Sequence, residues 1–252
     1  MILTAHQPAY LPWLGFFHKI AIADKFIFFD DVKYDAEDWI NRNQIKTRKG
    51  PLMLTVTVFA SGDYKNNIAS IKIKNSLPWR RKHWMTIQLE YGSSSYFKMY
   101  ADFFYDLYSR EWECLADFNL HMLEWFLKTL GISVVIQRAN ECSFSGKKSD
   151  LILDMSRKNN ATAFIFGEQG IGYADKEKFR QCGVIPYFRL YKHPQYQQLH
   201  GDFIPNLSII DLIFNMGPNS LEILMANNIT KQGLVNIVKE QGVFYERSQD
   251  IK

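Results

Sequence analysis

Apolar residues recur along this chain in several rhythms, and each rhythm predicts a different element. Residues 2–5 form a short apolar strand, stopped by Pro8 and by the turn through Pro12. Over residues 13–24, Leu14, Phe17, Ile20 and Ala21 return at helical spacing. Pro12 suits the first turn of that helix, where its missing N–H has no partner to lose. Residues 25–32 are a near-continuous apolar run bounded by charges, which reads as a strand buried on both faces. Strand, helix and buried strand make a βαβ unit with parallel strands and a right-handed crossover.

The middle of the chain follows other patterns. Residues 39–50 are polar and basic and read as a loop. Residues 52–59 and 68–74 alternate as strands, with a turn at Ser61-Gly62-Asp63 between them. Residues 79–91, 95–110 and 113–130 carry helical periodicity, the last run ending at Gly131. Strands are then expected at 133–137, 163–167 and 184–191, and helices at 150–158, 175–181, 208–215 and beyond Thr230. No repeat and no Gly/Ser linker divides the 252 residues. The expected fold is therefore α/β, a mostly parallel sheet flanked by helices, in a single domain over 1–252 with a helical insertion at about 79–130.

Composition narrows the function classes. Hydrophobic residues are 47% of the chain, enough for a packed core, and the net charge of +4 comes with no long basic stripe, which argues against nucleic acid. Cys114, Cys142 and Cys182 show no metal-ligand spacing, and an odd, sparse count fits a reducing compartment. No apolar run reaches the ~20 residues of a membrane span, and no leader pattern opens the chain, so the cytoplasm is the expected location. GxSxG, HExxH and CxxC are all missing, so neither a serine nucleophile nor a zinc hydrolase is indicated.

Four constellations carry candidate chemistry. His6 and Gln7 follow the first strand, and Asp30 and Asp31 follow the second. If those strands are parallel neighbours, an imidazole and two carboxylates share the edge where open α/β sheets bind ligands. A carboxylate beside a histidine fixes its tautomer and raises its pKa, as a general base requires. Adjacent acids alone do not define a metal site, and none is assigned. Arg42 and Lys46, flanked by Asn41 and Asn43, are candidates to clamp a phosphate or carboxylate, against a plain solvated loop. Gly167, Gly170 and Tyr173 lie in a glycine-rich turn that matches neither GxGxxG nor the P-loop, so an ordinary turn is the stronger reading. Asp211 and Asn215 share a helix face downstream of the polar segment 191–198. His83, among Arg80, Arg81 and Trp84, reads as structural.

The run His6-Gln7-Pro8-Ala9-Tyr10-Leu11-Pro12-Trp13-Leu14-Gly15-Phe16-Phe17-His18-Lys19-Ile20 resembles the opening of the WbqC-like family. Asp30-Asp31-Val32, Asn41-Arg42-Asn43 with Ile45-Lys46, Leu54-Thr55-Val56, Trp79 with His83, Tyr96-Phe97, Asn119, the 167–173 loop and Ser208 with Asp211, Asn215 and Gly217 are similar to that family too. One departure is Thr57, where the family commonly has proline. The resemblance implies a bacterial protein of O-antigen or other surface-glycan biosynthesis, acting on a nucleotide-linked amino sugar. Transfer of an acyl or aminoacyl group to the sugar nitrogen is the expected reaction, with acyl-CoA, a folate or an activated amino acid as donor and no resident cofactor assigned. In that scheme His6, oriented by Asp30 or Asp31, takes the amine proton. Arg42 and Lys46 hold the diphosphate, and Tyr10 or Trp39 stacks on base or sugar. Two alternatives stay open: an adenylyl-transferring nucleotidyltransferase, whose H-x-G-H motif is missing here, and a non-catalytic sugar-nucleotide binding module. A homo-oligomer is compatible with either.

Overall fold

The computed structural model describes residues 1–59 and 67–249, with side chains placed through residue 242. In chain order the first half contains β1 (Ile2–His6), α1 (Leu14–Ala21), β2 (Lys25–Phe28), β3 (Arg42–Thr47), β4 (Gly50–Thr55), α2 (Trp79–Tyr91), α3 (Phe97–Ser109) and α4 (Leu115–Leu130). The second half contains β5 (Val135–Arg138), α5 (Ser149–Lys158), β6 (Ala163–Phe166), α6 (Lys176–Gln181), β7 (Ile185–Phe188), α7 (Ile209–Met216), α8 (Ser220–Met225) and α9 (Lys231–Gln249).

Five strands form one parallel sheet in the order β5-β2-β1-β6-β7, flanked by helices, as the α/β patterning predicts. The alternation of side chains along each strand divides the two faces. Phe26 and Phe28 of β2 join Phe16 and Phe17 of α1 and Phe126 of α4 in one apolar cluster, which continues through the helical segment 79–130. Leu3, Ile27, Phe164 and Phe166 point the other way, onto Ile152 and Met155 of α5 and Phe179 of α6. Helices therefore leave β1 on one face and arrive at β6 from the other, which makes the β1–β6 join the topological switch point.

Several expectations change. Residues 39–50 are not a loop: β3 pairs antiparallel with β4, Thr47 opposite Gly50, around a two-residue turn at Arg48-Lys49. The polar residues that disguise β3 are used inside the fold. Asn43, for example, donates from Nδ2 to the carbonyls of Tyr10 (3.2 Å) and Leu11 (2.8 Å). The strand expected at 68–74 is a single turn of 3-10 helix over Ile68–Ser70 followed by isolated bridges. The turn at Ser61-Gly62-Asp63 lies outside the described residues. Pro12 precedes the helix cap Trp13 rather than entering the first turn. The helix α8 is added, and β7 stops at Phe188, so the chain from Arg189 to Ser208 crosses the sheet edge as coil.

Asp30, just after β2, holds the edge strand β5 in place. Its fully buried carboxylate accepts from Arg138 Nη2 at 2.7 Å and Nε at 2.8 Å, and from the Asn140 backbone N–H at 3.0 Å. Arg138 also reaches Asp117 on α4 at 2.6 Å, joining β2, β5 and the helical layer. Removing one member of a buried pair strands the other, so Asp30→Ala should cost about 3 kcal/mol in urea unfolding. An unchanged urea midpoint would show that this clamp holds nothing.

Candidate active site

The carboxyl ends of β1 and β6 meet at the switch point, with the end of β7 beside β6, and the residues just beyond them set the local chemistry. His6 ends β1 with its ring edge-on to Phe16 of α1, centroids 4.9 Å apart. Its Nδ1–H donates to the Gln7 carbonyl at 2.8 Å. A carbonyl only accepts, so the neutral ring carries its proton on Nδ1 and leaves Nε2 basic. Burial, reinforced by the charges of Lys19 and Arg189, pushes the pKa of His6 down to about 3. The imidazole is neutral at neutral pH.

Lys19 lies on α1, buried, its Nζ donating to the Ala5 carbonyl of β1 at 2.8 Å. Burial and the neighbouring Arg189 lower its pKa to about 7, so near neutral pH it exchanges between charged and uncharged forms. Arg189 follows β7 directly, its backbone N–H donating to Phe166 of β6 at 3.1 Å. The guanidinium carbon lies 5.9 Å from the Trp13 ring centre and 5.3 Å from that of Tyr191. Gly15 makes this possible, because a Cβ there would stand 2.2 Å from the Trp13 indole. His18 is buried beside the same cluster, 5.2 Å from Tyr191 between ring centres, with Nε2–H donating to Ile229 at 3.0 Å.

The residues singled out from sequence divide sharply. His6, Gln7 and Gly167 lie at the switch point, and nothing comes within 4 Å of where a Gly167 Cβ would be. Gly170 is required by packing, since a Cβ there would collide with Phe166 at 2.6 Å, and Tyr173 lies over that same ring at 6.1 Å. The expected pairing of His6 with Asp30 or Asp31 gives way to other partners. Asp30 is taken by Arg138, and the exposed Asp31 accepts from Asn67 Nδ2 at 2.5 Å.

Tyr10 is buried in a network with His83 Nδ1 (2.8 Å) and the Tyr108 hydroxyl (2.5 Å), and Trp39 is a half-exposed surface residue. Asn41 donates to Val56, and Arg42 to the carbonyls of Ala36 and Asp38. Lys46, also buried, is saturated by Gln198 Oε1 (3.0 Å) and the carbonyls of Gly201 and Asp202. Asp211 accepts from the Tyr91 and Tyr196 hydroxyls at 3.0 and 2.9 Å, and burial raises its pKa. Asn215 donates to the Asp211 carbonyl. These contacts tie the Arg189–Ser208 coil to the helical layer.

Lys19, Arg189 and Trp13 were not singled out by sequence reasoning. For Arg189 the signal, a basic residue directly after an apolar strand, becomes readable once strand order is known. A separate cavity of about 390 Å³ lies between residues 75–84 and α3, lined by Arg80, Arg81, Trp84 and Tyr108. Arg80 there is occupied by Asn75 and Glu111, and among the described residues no orphaned buried group lines it. The sheet edge is the stronger candidate. Among the described residues no helix is long and apolar enough to cross a membrane, and no cluster of His, Cys, Asp and Glu could hold a metal ion.

Fold and edge together define a doubly wound α/β protein with a basic, partly buried candidate site at its switch point. The chain belongs to the WbqC-like protein family, whose sequence profile matches residues 7–223. It is 30% identical over 220 residues to an uncharacterized protein of Mycobacterium tuberculosis, a match covering 86% of this chain and 95% of that protein. No solved structure matches. Family membership is consistent with a role connected to polysaccharide biosynthesis.

The buried histidines predict a pH dependence of stability. His6 is held near 3, and His18 and His83 near 4, against an ordinary 6.5. Between pH 6.5 and about 4 the unfolded chain binds protons that the folded chain refuses, so stability falls as pH falls. Each histidine contributes a slope of about 1.4 kcal/mol per pH unit. Urea unfolding at pH 6.5, 5.5 and 4.5 should show the decline, and His83→Gln should make it shallower by one histidine's share. A slope identical in the variant would mean that His83 titrates alike in both states.

Proposed function

We propose that this protein is a transferase of surface-polysaccharide biosynthesis that acts on a nucleotide-linked amino sugar, joining an acyl or aminoacyl group to the sugar nitrogen. The observation that carries this reading is His6: a neutral imidazole at the switch point, with Nδ1 committed to Gln7 and Nε2 left as the basic nitrogen. The amine lone pair attacks the donor's carbonyl carbon, the C–N bond forms, and the bond to the donor's leaving group breaks. His6 Nε2 accepts the proton the nitrogen sheds and returns it to the departing group. A base held near pKa 3 is weak, but the positive charges of Lys19 and Arg189 help hold it there. An anionic substrate that offsets those charges raises the basicity of His6 when the substrate is in place. The orienting role expected of Asp30 passes to the Gln7 carbonyl. A basic edge also suits adenylyl transfer with release of pyrophosphate, and that reading is distinguished by ATP-dependent pyrophosphate formation.

Purified protein should transfer acyl or aminoacyl groups within a panel of nucleotide-linked amino sugars and activated donors. His6→Gln should lower kcat by roughly 100- to 1,000-fold while KM changes little, as loss of a general base does. Full kcat in His6→Gln would remove His6 from the chemistry, and no transfer across the panel would reject the reaction class.

A further inference from the structure

The buried cations of this chain are not treated alike. Lys46 is met by three oxygen acceptors, and Arg138 by two carboxylates. Arg189 is 6% exposed, yet its Nε and Nη1 are buried with no acceptor among the described residues. A guanidinium does not shed its proton at neutral pH, and a buried charge without hydrogen-bond partners is costly to keep. The surroundings raise that cost. Lys19, His6 and His18 share the space, and Glu168, the carboxylate that acts on Arg189, is exposed and the weakest influence on it. Trp13 and Tyr191 flank the guanidinium with ring faces, which accept no strong hydrogen bond.

We propose that Arg189 and Lys19 form the site for a phosphoryl group of the substrate, with Arg189 donating to its oxygens and Trp13, seated over Gly15, holding the guanidinium in place. The proposal rests on the reading of this sheet edge as the substrate site and names what docks there. A phosphoryl or diphosphate group fits better than a carboxylate. Two cationic side chains match two negative charges, and a carboxylate's single charge would leave Lys19 uncompensated. The ionised phosphoryl group also draws Lys19 to its charged form. The diphosphate-holding role expected of Arg42 and Lys46 thus moves to a different pair.

The test is isothermal titration of the full-length protein with inorganic pyrophosphate, and with acetate as the carboxylate control, alongside thermal unfolding of the empty protein. Wild type should bind pyrophosphate and leave acetate unbound at the same concentrations. Arg189→Met should weaken pyrophosphate by roughly 10- to 100-fold, the range of charge-assisted hydrogen bonds. The same variant should unfold at an equal or higher temperature than wild type, because it removes an uncompensated charge and keeps apolar contact with the two rings. Should Arg189→Met not fold, Arg189→Lys keeps the charge, loses the planar fork, and is expected to weaken binding in the same direction. Absence of pyrophosphate binding, binding unchanged in both variants, or tighter binding of acetate would overturn the proposal. Pyrophosphate binding without transfer activity would reject the catalytic reading alone, and transfer activity without pyrophosphate binding would reject this site alone.

Discussion

β1 is hydrogen-bonded along both edges by parallel strands, and the unequal length of those two ladders shapes the carboxyl end of the sheet. On one side the register runs from Leu3 opposite Lys25 to His6 opposite Phe28. On the other it runs from Ile2 opposite Ala163 and stops at Thr4 opposite Ile165, where the Thr4 hydroxyl adds a bond to the Ile165 carbonyl. Ala5 and His6 therefore extend past the last β6 partner in that ladder. Helices depart from β1 and approach β6 on opposite faces, so the space beyond those ends is left to side chains and loops.

Electrostatics at that edge is unbalanced by construction. Elsewhere the charges the chain buries have hydrogen-bond partners: Asp30 has Arg138, Asp211 two tyrosine hydroxyls, Lys46 an amide and two carbonyls. At the edge Arg189 presses on Lys19, and both charges disfavour protonation of His6. In the segment that joins β1 to α1, Leu11 adds backbone strain, with a φ of 44° that a branched side chain rarely adopts, held by the Asn43 amide on its carbonyl. Uncompensated charge and a strained loop each lower stability.

Local patterning revealed the elements whose burial repeats along the sequence. The βαβ opening, the helix over Trp79–Tyr91 and the helix stop at Gly131, with φ of 72°, follow from periodicity and glycine chemistry alone. The hairpin of β3 and β4 was hidden because Arg42, Asn43, Gln44 and Lys46 look solvated, whereas the polar ends of Asn43 and Lys46 are satisfied by distant backbone that no local window contains. The site was half legible for the same reason. His6 and Gln7 follow a strand whose direction could be inferred, so their edge was expected. Arg189 reads as one more residue in the run Phe188-Arg189-Leu190-Tyr191, and strand order alone brings it to β1 across β6. The acidic partner inferred for His6 failed because β5, a strand distant in sequence, supplies Arg138 to the same carboxylate.

The account stands on where an oxyanion settles. A crystal structure of the protein soaked with tungstate, read from its anomalous signal, locates such an ion without reference to any reaction. The predicted peak lies beyond the carboxyl ends of β1 and β6, within hydrogen-bond reach of Arg189. A peak at the β3–β4 hairpin beside Arg42, or at Arg80 and Arg81, with none at Arg189, would contradict it.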